Sequence, residues 1–305
     1  MIKDMDLKDI NFDKIILHGR CHDGITSGII LHQLFTAYAK KSGIIMPYIE
    51  FVMHKSTEHK QPACKSLWCD IVPEYNTDDW VATKSIVLDH HKSAANVVEK
   101  FGQTHSHFEP QTPGYSGAGI AFDFAIEFAK QNNLTLNDKF FELKELARIV
   151  GIIDTFQEND PDFEYAAQTA SAINFYGFER LKTQTKLTTY QNEVGEIMQT
   201  SRKESALKVA ESIKVINFEQ YKIATFSNNG GIADFVSYYL RNNNADVDFV
   251  FGYTVSLEGH LNVSLRSVKT GVLEFAKRFN GGGHDKAAGF QLQADIHNKI
   301  LEILK

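Results

Sequence analysis

Four apolar segments of this chain, three of them strand candidates and one a helix that ends at Asp154, run into aspartate or histidine. The segment from Lys14 to Gly19 (KIILHG) reads as a buried strand and runs into His18, Cys21, His22 and Asp23. Tyr48 to His54 is a second strand candidate. Ser66 to Val72 is a third and carries Asp70, and Lys84 to Asp89 is a fourth and runs into His90 and His91. Asp23 to about Lys41 reads as a helix, with Ile25, Ile29, Ile30 and Leu34 on one face and Ser42-Gly43 ending it. Tyr115 to Gln131 and Lys139 to Asp154 also look helical. Strands alternating with helices imply a parallel sheet. Ligands of such open sheets bind outside the carboxyl ends of the strands. The pattern therefore constrains both the fold and the place where chemistry is expected.

From about Thr183 to Ile213 the chain is polar, charged and free of proline, with helical spacing at Leu187, Val194, Ile197, Ser201 and Leu207. We read it as a long connecting helix, an ordinary helix inside one domain being the alternative. The remaining ~90 residues read as a second α/β unit. Lys222 to Phe226, Val247 to Val255 and His260 to Arg266 are its strands, the last two joined by a Glu258-Gly259 turn. Ile232 to Arg241 and Val272 to Phe279 are helices, Phe290 to Leu292 is a last strand, and Ile296 to Leu304 is a closing helix. The expected fold class is α/β: an N-terminal parallel-sheet domain over 1–185, a helical linker over 186–213, and a smaller C-terminal α/β domain over 214–305.

The 305 residues suit about two domains. Lys and Arg number 32 against 38 Asp and Glu, a net charge of −6. That balance argues against a polybasic nucleic-acid binder, because neutralising phosphates needs cationic excess. It leaves room for a site in which carboxylates hold cations and the cations meet a phosphate. No apolar run approaches the ~18–20 residues of a membrane span. The opening MIKDMDLKDINFDK lacks the apolar core of a secretory signal. Three cysteines cannot build a disulfide framework and fit a reducing cytoplasm.

Taken singly, an aspartate after a strand is commonly a helix cap, and a lone buried histidine is commonly a core residue. Several strand ends that all carry Asp or His, with Asp154 closing a helix in ARIVGIIDTF, point instead to one convergent cluster. Carboxylates and imidazoles together suit Mn2+ or a similar cation more than a thiolate-rich zinc site. Two such ions ~3.5–4 Å apart polarise a phosphoryl group and activate a water.

Asp89-His90-His91 after an apolar strand resembles the signature of the DHH phosphoesterases. His18 with Asp23-Gly24-Ile25-Thr26-Ser27 is similar to that family's first motif. Asp70 and Asp154 stand where its second and fourth fall, and Ser116-Gly117-Ala118-Gly119 is similar to its small-residue turn. GGGHDKAAGF at 281–290 and VSLRS at 263–267 resemble its DHH-associated second domain. The resemblance implies two domains facing each other across a cleft, with two Mn2+ ions, or Mg2+ or another divalent ion, on the first. By carry-over, Asp70 bridges both ions, Asp23, His90 and Asp154 hold one, and His18 helps hold the other. His91 contacts the scissile phosphate and Asp89 orients the histidines, so His90, His91 and Asp89 are the candidate catalytic residues. Ser116, Gly117, Arg266, Ser267, Gly281, Gly282, Gly283 and His284 are candidate substrate-binding residues.

Relatives carry two aspartates one residue apart in the first motif, whereas here the pair reads Cys21-His22-Asp23. Three readings follow. Cys21 ligates a softer metal as thiolate, His22 takes over as ligand, or the first site is weak and one ion suffices. Cys69 reads as core. Asn228-Asn229-Gly230-Gly231 reads as a loop or cap, and His54, His59, His105 and His107 read as incidental. The expected function is metal-dependent hydrolysis of phosphodiester or phosphomonoester bonds in short oligonucleotides or small nucleotides. A phosphoanhydride hydrolase acting on polyphosphate or pyrophosphate is one alternative. A non-catalytic nucleotide- or phosphate-binding protein is the other. No membrane partner and no long nucleic-acid track are expected, and a homodimer is compatible with the sequence.

Overall fold

Ile15 and Leu17 enter one apolar core, and Ile16 between them enters another. Leu67 and Cys69 part from Trp68 in the same way, and Ile86 and Leu88 part from Val87. This two-residue alternation marks strands buried on both faces, which need a helical layer on each side. The computed structural model describes residues 2–19, 21–53, 60–109, 112–211, 213–228, 231–256 and 259–293. The chain divides into two units, Met1–Met198 and Gln199–Lys305.

The first unit runs β1 (Lys14–His18), α1 (His22–Ser42), β2 (Tyr48–Val52), β3 (Ser66–Cys69), α2 (Thr77–Ala82), β4 (Ile86–Asp89), α3 (Ala95–Phe101), β5 (Ser106–Phe108), α4 (Gly117–Gln131), α5 (Asp138–Asp154) and α6 (Phe163–Leu181). Its five strands are ordered β2-β1-β3-β4-β5, and all pairs are parallel. Helices α1, α4 and α5 supply Leu34, Phe128 and Leu143 to one core. Helices α2 and α3 supply Trp80 and Phe101 to the other. There Trp68 and Trp80 meet edge to face with centroids 5.0 Å apart. Each such buried ring is worth several times the ~0.8 kcal/mol of a buried methylene.

The register sets Leu17 opposite Cys69, and Cys69 opposite Leu88. Strands β1, β3 and β4 therefore end at one level, and His18, Asp70 and Asp89 leave the sheet side by side. Strand β3 is shorter than its apolar run, because Asp70 takes a left-handed conformation (φ 62°) and breaks the ladder.

The chain passes between the units within α7 (Thr189–Glu211). The second unit then runs β6 (Lys214–Phe218), β7 (Tyr221–Ser227), α8 (Ala233–Asn242), β8 (Phe249–Val255), β9 (His260–Ser267), α9 (Leu273–Lys277), β10 (Gly282–Gly283) and β11 (Ala287–Gln293). Its sheet order is β10-β11-β9-β8-β7-β6. Strands β7 and β8 are parallel, with α8 as their crossover, and the other pairs are antiparallel. Phe249, Phe275 and Phe290 pack one side of this sheet, and Phe226, Val236 and Leu240 the other. Helix α6 and strand β6 were not expected from periodicity. The expected closing helix, His54, His59, Asn229, Gly230 and Glu258 lie outside the described residues. Among the described residues no helix is long and apolar enough to cross a membrane.

Candidate metal centre

Each side chain of the cluster sits where an element starts or stops. His18 closes β1, Cys21 is the N-cap of α1, and Asp23 lies in that helix's first turn. Asp70 follows β3, Asp89 closes β4 ahead of His90 and His91, and Asp154 closes α5. Helix α1 starts close to β1 because residue 24 is glycine. A Cβ there would stand 2.1 Å from the His18 carbonyl oxygen. Asp70 reaches its left-handed turn at modest cost, since aspartate is among the few residues that visit that region. Asp154 lies at the negative end of the α5 dipole, where a carboxylate disfavours the helix. Its placement there serves something other than helix stability.

These ends converge. Asp70 Oδ2 lies 3.4 Å from Cys21 Sγ and 3.5 Å from His18 Nδ1, and Cys21 Sγ lies 3.2 Å from His18 Nδ1. Asp70 Oδ1 lies 3.4 Å from His90 Nε2 and 3.8 Å from His91 Nδ1. His90 Nε2 is also 3.3 Å from Asp154 Oδ2 and 3.7 Å from Asp23 Oδ2. Three sets of atoms are close enough to share an ion: His18, Cys21 and Asp70; Asp70, His90 and His91; Asp23, His90 and Asp154. His22 stands at the margin, with Nε2 3.9 Å from Asp154 Oδ1.

Asp23 is wholly buried and gripped by the start of α4. Ser116 Oγ donates to its Oδ1 at 2.5 Å, Ala118 N–H donates to Oδ1 at 2.8 Å, and Gly117 N–H donates to Oδ2 at 2.8 Å. The positive end of a helix is a natural anion site, and a carboxylate from α1 fills this one. Asp89 serves His91 in a parallel way. Its Oδ1 accepts the His91 N–H at 2.6 Å and faces Nδ1 at 3.0 Å.

The electrostatics are those of too many anions in a dry space. Burial, with Asp70 and Asp154 adding, pushes the Asp23 carboxyl well above the usual range. Burial also pushes the Cys21 thiol up, again with Asp70 and Asp23 adding. Burial would raise Asp70 too, but the imidazoles of His18, His90 and His91 outweigh it and hold that carboxyl well below its ordinary value. His91 would fall on burial, yet the facing Asp89 carries it up to about 10. His90 would likewise fall on burial, and Asp70 and Asp154 raise it instead.

The donor set fits divalent cations. Asp70 Oδ1 and Asp154 Oδ2 are buried carboxylate oxygens that accept no hydrogen bond, although both face His90. Imidazoles offset part of this buried charge, and a divalent cation would offset the rest. Carboxylate oxygens suit Mn2+ and Mg2+, and imidazole nitrogens suit transition metals.

The structure thus brings together His18, Cys21, Asp23, Asp70, His90, His91 and Asp154, with Asp89 behind His91. Ser116 and Gly117, expected at the substrate, are buried with their donors committed to Asp23. Ala118 is the third donor to Asp23, a role the sequence reading did not assign it. Cys69 is buried core, its Sγ 3.6 Å from the Gly117 carbonyl oxygen.

The other candidates lie in the second unit. Arg266 pairs through Nε with Asp234 and donates from Nη1 to Ser264 Oγ at 3.0 Å and to the Leu265 carbonyl at 2.9 Å. Ser267 N–H donates to the Lys286 carbonyl, and His284 N–H to that of Ala287. Gly281 precedes the short strand β10 formed by Gly282 and Gly283. Asn228 caps α8, accepting from Ile232 N–H at 2.8 Å and Ala233 N–H at 3.0 Å. Asp234 went unnoticed in the sequence because an acid in a helix's first turn is ordinary.

Residues 218–305 match the DHHA1 domain. The fold is similar to that of RecJ from Thermus thermophilus in complex with Mn2+, at 16% identity and a TM-score of 0.53, over 92% of this chain and 49% of that one. The chain therefore spans about half the length of that RecJ. It is also similar to an exonuclease RecJ bound to manganese, at 15% identity and a TM-score of 0.51, over 92% of this chain and 86% of the other. No curated protein matches the sequence. The chain therefore carries a DHHA1 domain at its C-terminal end and has a RecJ-like fold, with Asp89-His90-His91 at the carboxyl edge of its parallel sheet.

Proposed function

We propose that this protein is a divalent-metal phosphoesterase that hydrolyses phosphodiester or phosphomonoester bonds of short oligonucleotides or small nucleotides, with Mn2+ as the working ion. The observation that carries this reading is the division of Asp70. One carboxylate oxygen faces His18 and Cys21, and the other faces His90 and His91. A single carboxylate so placed can hold two ions at once, with Asp23, His90 and Asp154 completing one side and His18 contributing to the other. Divalent ions there supply the charge that polarises a phosphoryl group and lowers the pKa of a water nucleophile.

The rest falls to the chain. Asp89 holds Nδ1 of His91, so contact with a phosphate oxygen falls to Nε2. His91 is 21% exposed where His90 is fully buried, which suits His91 to meet substrate and His90 to hold metal. In the same proposal Arg266, Ser267, Gly281, Gly282, Gly283 and His284 are the substrate-binding residues of the second unit. The net charge of −6 favours short substrates over long polymers. Three free cysteines support a cytoplasmic setting.

The test is purified protein with Mn2+ against a short RNA, a cyclic dinucleotide, polyphosphate and a generic phosphodiester. Turnover that disappears in Asp70→Ala and His90→Ala supports the reading. Turnover of polyphosphate alone replaces it with a phosphoanhydride hydrolase. Cys21 at an aspartate position of the first motif favours a second reading, a nucleotide- or phosphate-binding protein. Tight nucleotide binding without metal-dependent turnover would establish that one.

A further inference from the structure

Cys21 has two sets of neighbours. Its Sγ accepts the Gly24 N–H at 3.1 Å and so caps α1. The same sulfur lies 3.2 Å from His18 Nδ1 and 3.4 Å from Asp70 Oδ2. Capping alone does not call for sulfur, since serine, aspartate and asparagine are the favoured N-caps. The second set has the makings of a ligand site. Asp70 is 1% exposed and turns Oδ2 toward both the cysteine and His18, while its Oδ1 faces His90 and His91. His18, Cys21 and Asp70 present one atom each within 4.8 Å of one another. The set formed by Asp23, His90 and Asp154 contains no sulfur.

We propose that Cys21 is a metal ligand and makes the two halves of the centre chemically unlike. The half built by His18, Cys21 and Asp70 takes a softer divalent ion such as Zn2+, and the half built by Asp23, His90 and Asp154 takes Mn2+ or Mg2+. Thiolate and imidazole favour zinc, whereas a carboxylate-rich set favours manganese and magnesium. On binding, the cysteine S–H loses its proton to solvent and the sulfur binds as thiolate, while the Gly24 N–H remains its hydrogen-bond donor. The proposal rests on the reading of this cluster as a two-ion centre.

The experiment titrates Co2+ into the metal-free full-length protein and records near-ultraviolet absorption. In parallel, protein loaded with equimolar Zn2+ and Mn2+ is assayed for metal content by mass spectrometry. A sulfur-to-cobalt charge-transfer band and one zinc with one manganese per chain are expected. Cys21→Ser and Cys21→Asp both retain a side chain able to cap α1, and circular dichroism checks their fold. Cys21→Ser should lose the band and at least about tenfold in zinc affinity while keeping the other ion. Cys21→Asp should take two manganese ions. Two bound cobalt ions without the band, a band that survives in Cys21→Ser, or two ions of one kind in the wild-type competition would overturn the proposal and leave the two-ion centre standing. Failure to bind any divalent ion would overturn both.

Discussion

Ser116 donates its hydroxyl to Asp23 Oδ1 at 2.5 Å, and both side chains are closed to solvent. A residue that sequence reading assigned to substrate is thus committed to a carboxylate of the Asp and His cluster. Orienting partners of this kind commonly matter ~10–100-fold to metal affinity. Ser116→Ala leaves the Gly117 and Ala118 donors in place and should cost about 1 kcal/mol of stability. Manganese affinity by calorimetry should fall about tenfold or more. Unchanged affinity would mean that the two backbone donors suffice.

Gly117 sits under the same carboxylate. A Cβ there would lie 2.7 Å from Asp23 Oδ2 and 2.7 Å from Asp70 Cβ. Gly117→Ala should therefore displace two cluster carboxylates, with an overpacking cost of about 1–3 kcal/mol, partly offset by about 1 kcal/mol of better helix propensity. Metal binding should suffer more than stability does. Calorimetry beside denaturant unfolding measures both, and wild-type manganese affinity in the variant would contradict the tight packing.

Asp154→Asn removes a carboxylate from the negative end of α5 and from beside Asp23. The metal-free variant should be more stable than the wild type by about 0.3–1 kcal/mol. Manganese should then raise its melting temperature less than it raises the wild type's, because ligand stabilisation follows affinity. Thermal unfolding with manganese and with chelator reads both effects.

His91 in the metal-free protein should titrate near pH 10, where an ordinary histidine titrates near 6.5. Its folded value lies above its unfolded one. The contact with Asp89 therefore contributes its full stability below about pH 6.5 and loses it as pH rises through about 10. Nitrogen-15 NMR of the imidazole follows the titration directly. Asp89→Asn should move the midpoint down, and a wild-type midpoint near neutrality would refute the pairing.

The fold was legible wherever one local rule dominated. Ile15, Ile16 and Leu17 alternate between two cores, so a short apolar run could be read as a buried strand. Helix α6 was not legible. Its AAQTASAINFYGFERL carries small and polar residues and a non-helical Gly177, and its place comes from burying Ala166, Ala170 and Ile173. Strand β6 escaped for a related reason: all five of its residues are exposed, so no burial pattern marks it, and pairing with β7 makes it a strand.

By itself the sequence determined which residues crowd the centre. A parallel sheet brings the carboxyl ends of its strands to one edge, and His18, Asp70, Asp89, His90 and His91 all follow or close strands in the chain. The tertiary structure decided which atoms face one another. The two oxygens of Asp70 face different partners, Asp23 is held by a helix 93 residues away, and Arg266 pairs with Asp234. These relationships depend on the direction of single atoms across separately packed elements. Strand register and helix placement set those directions, and no spacing along the chain encodes them.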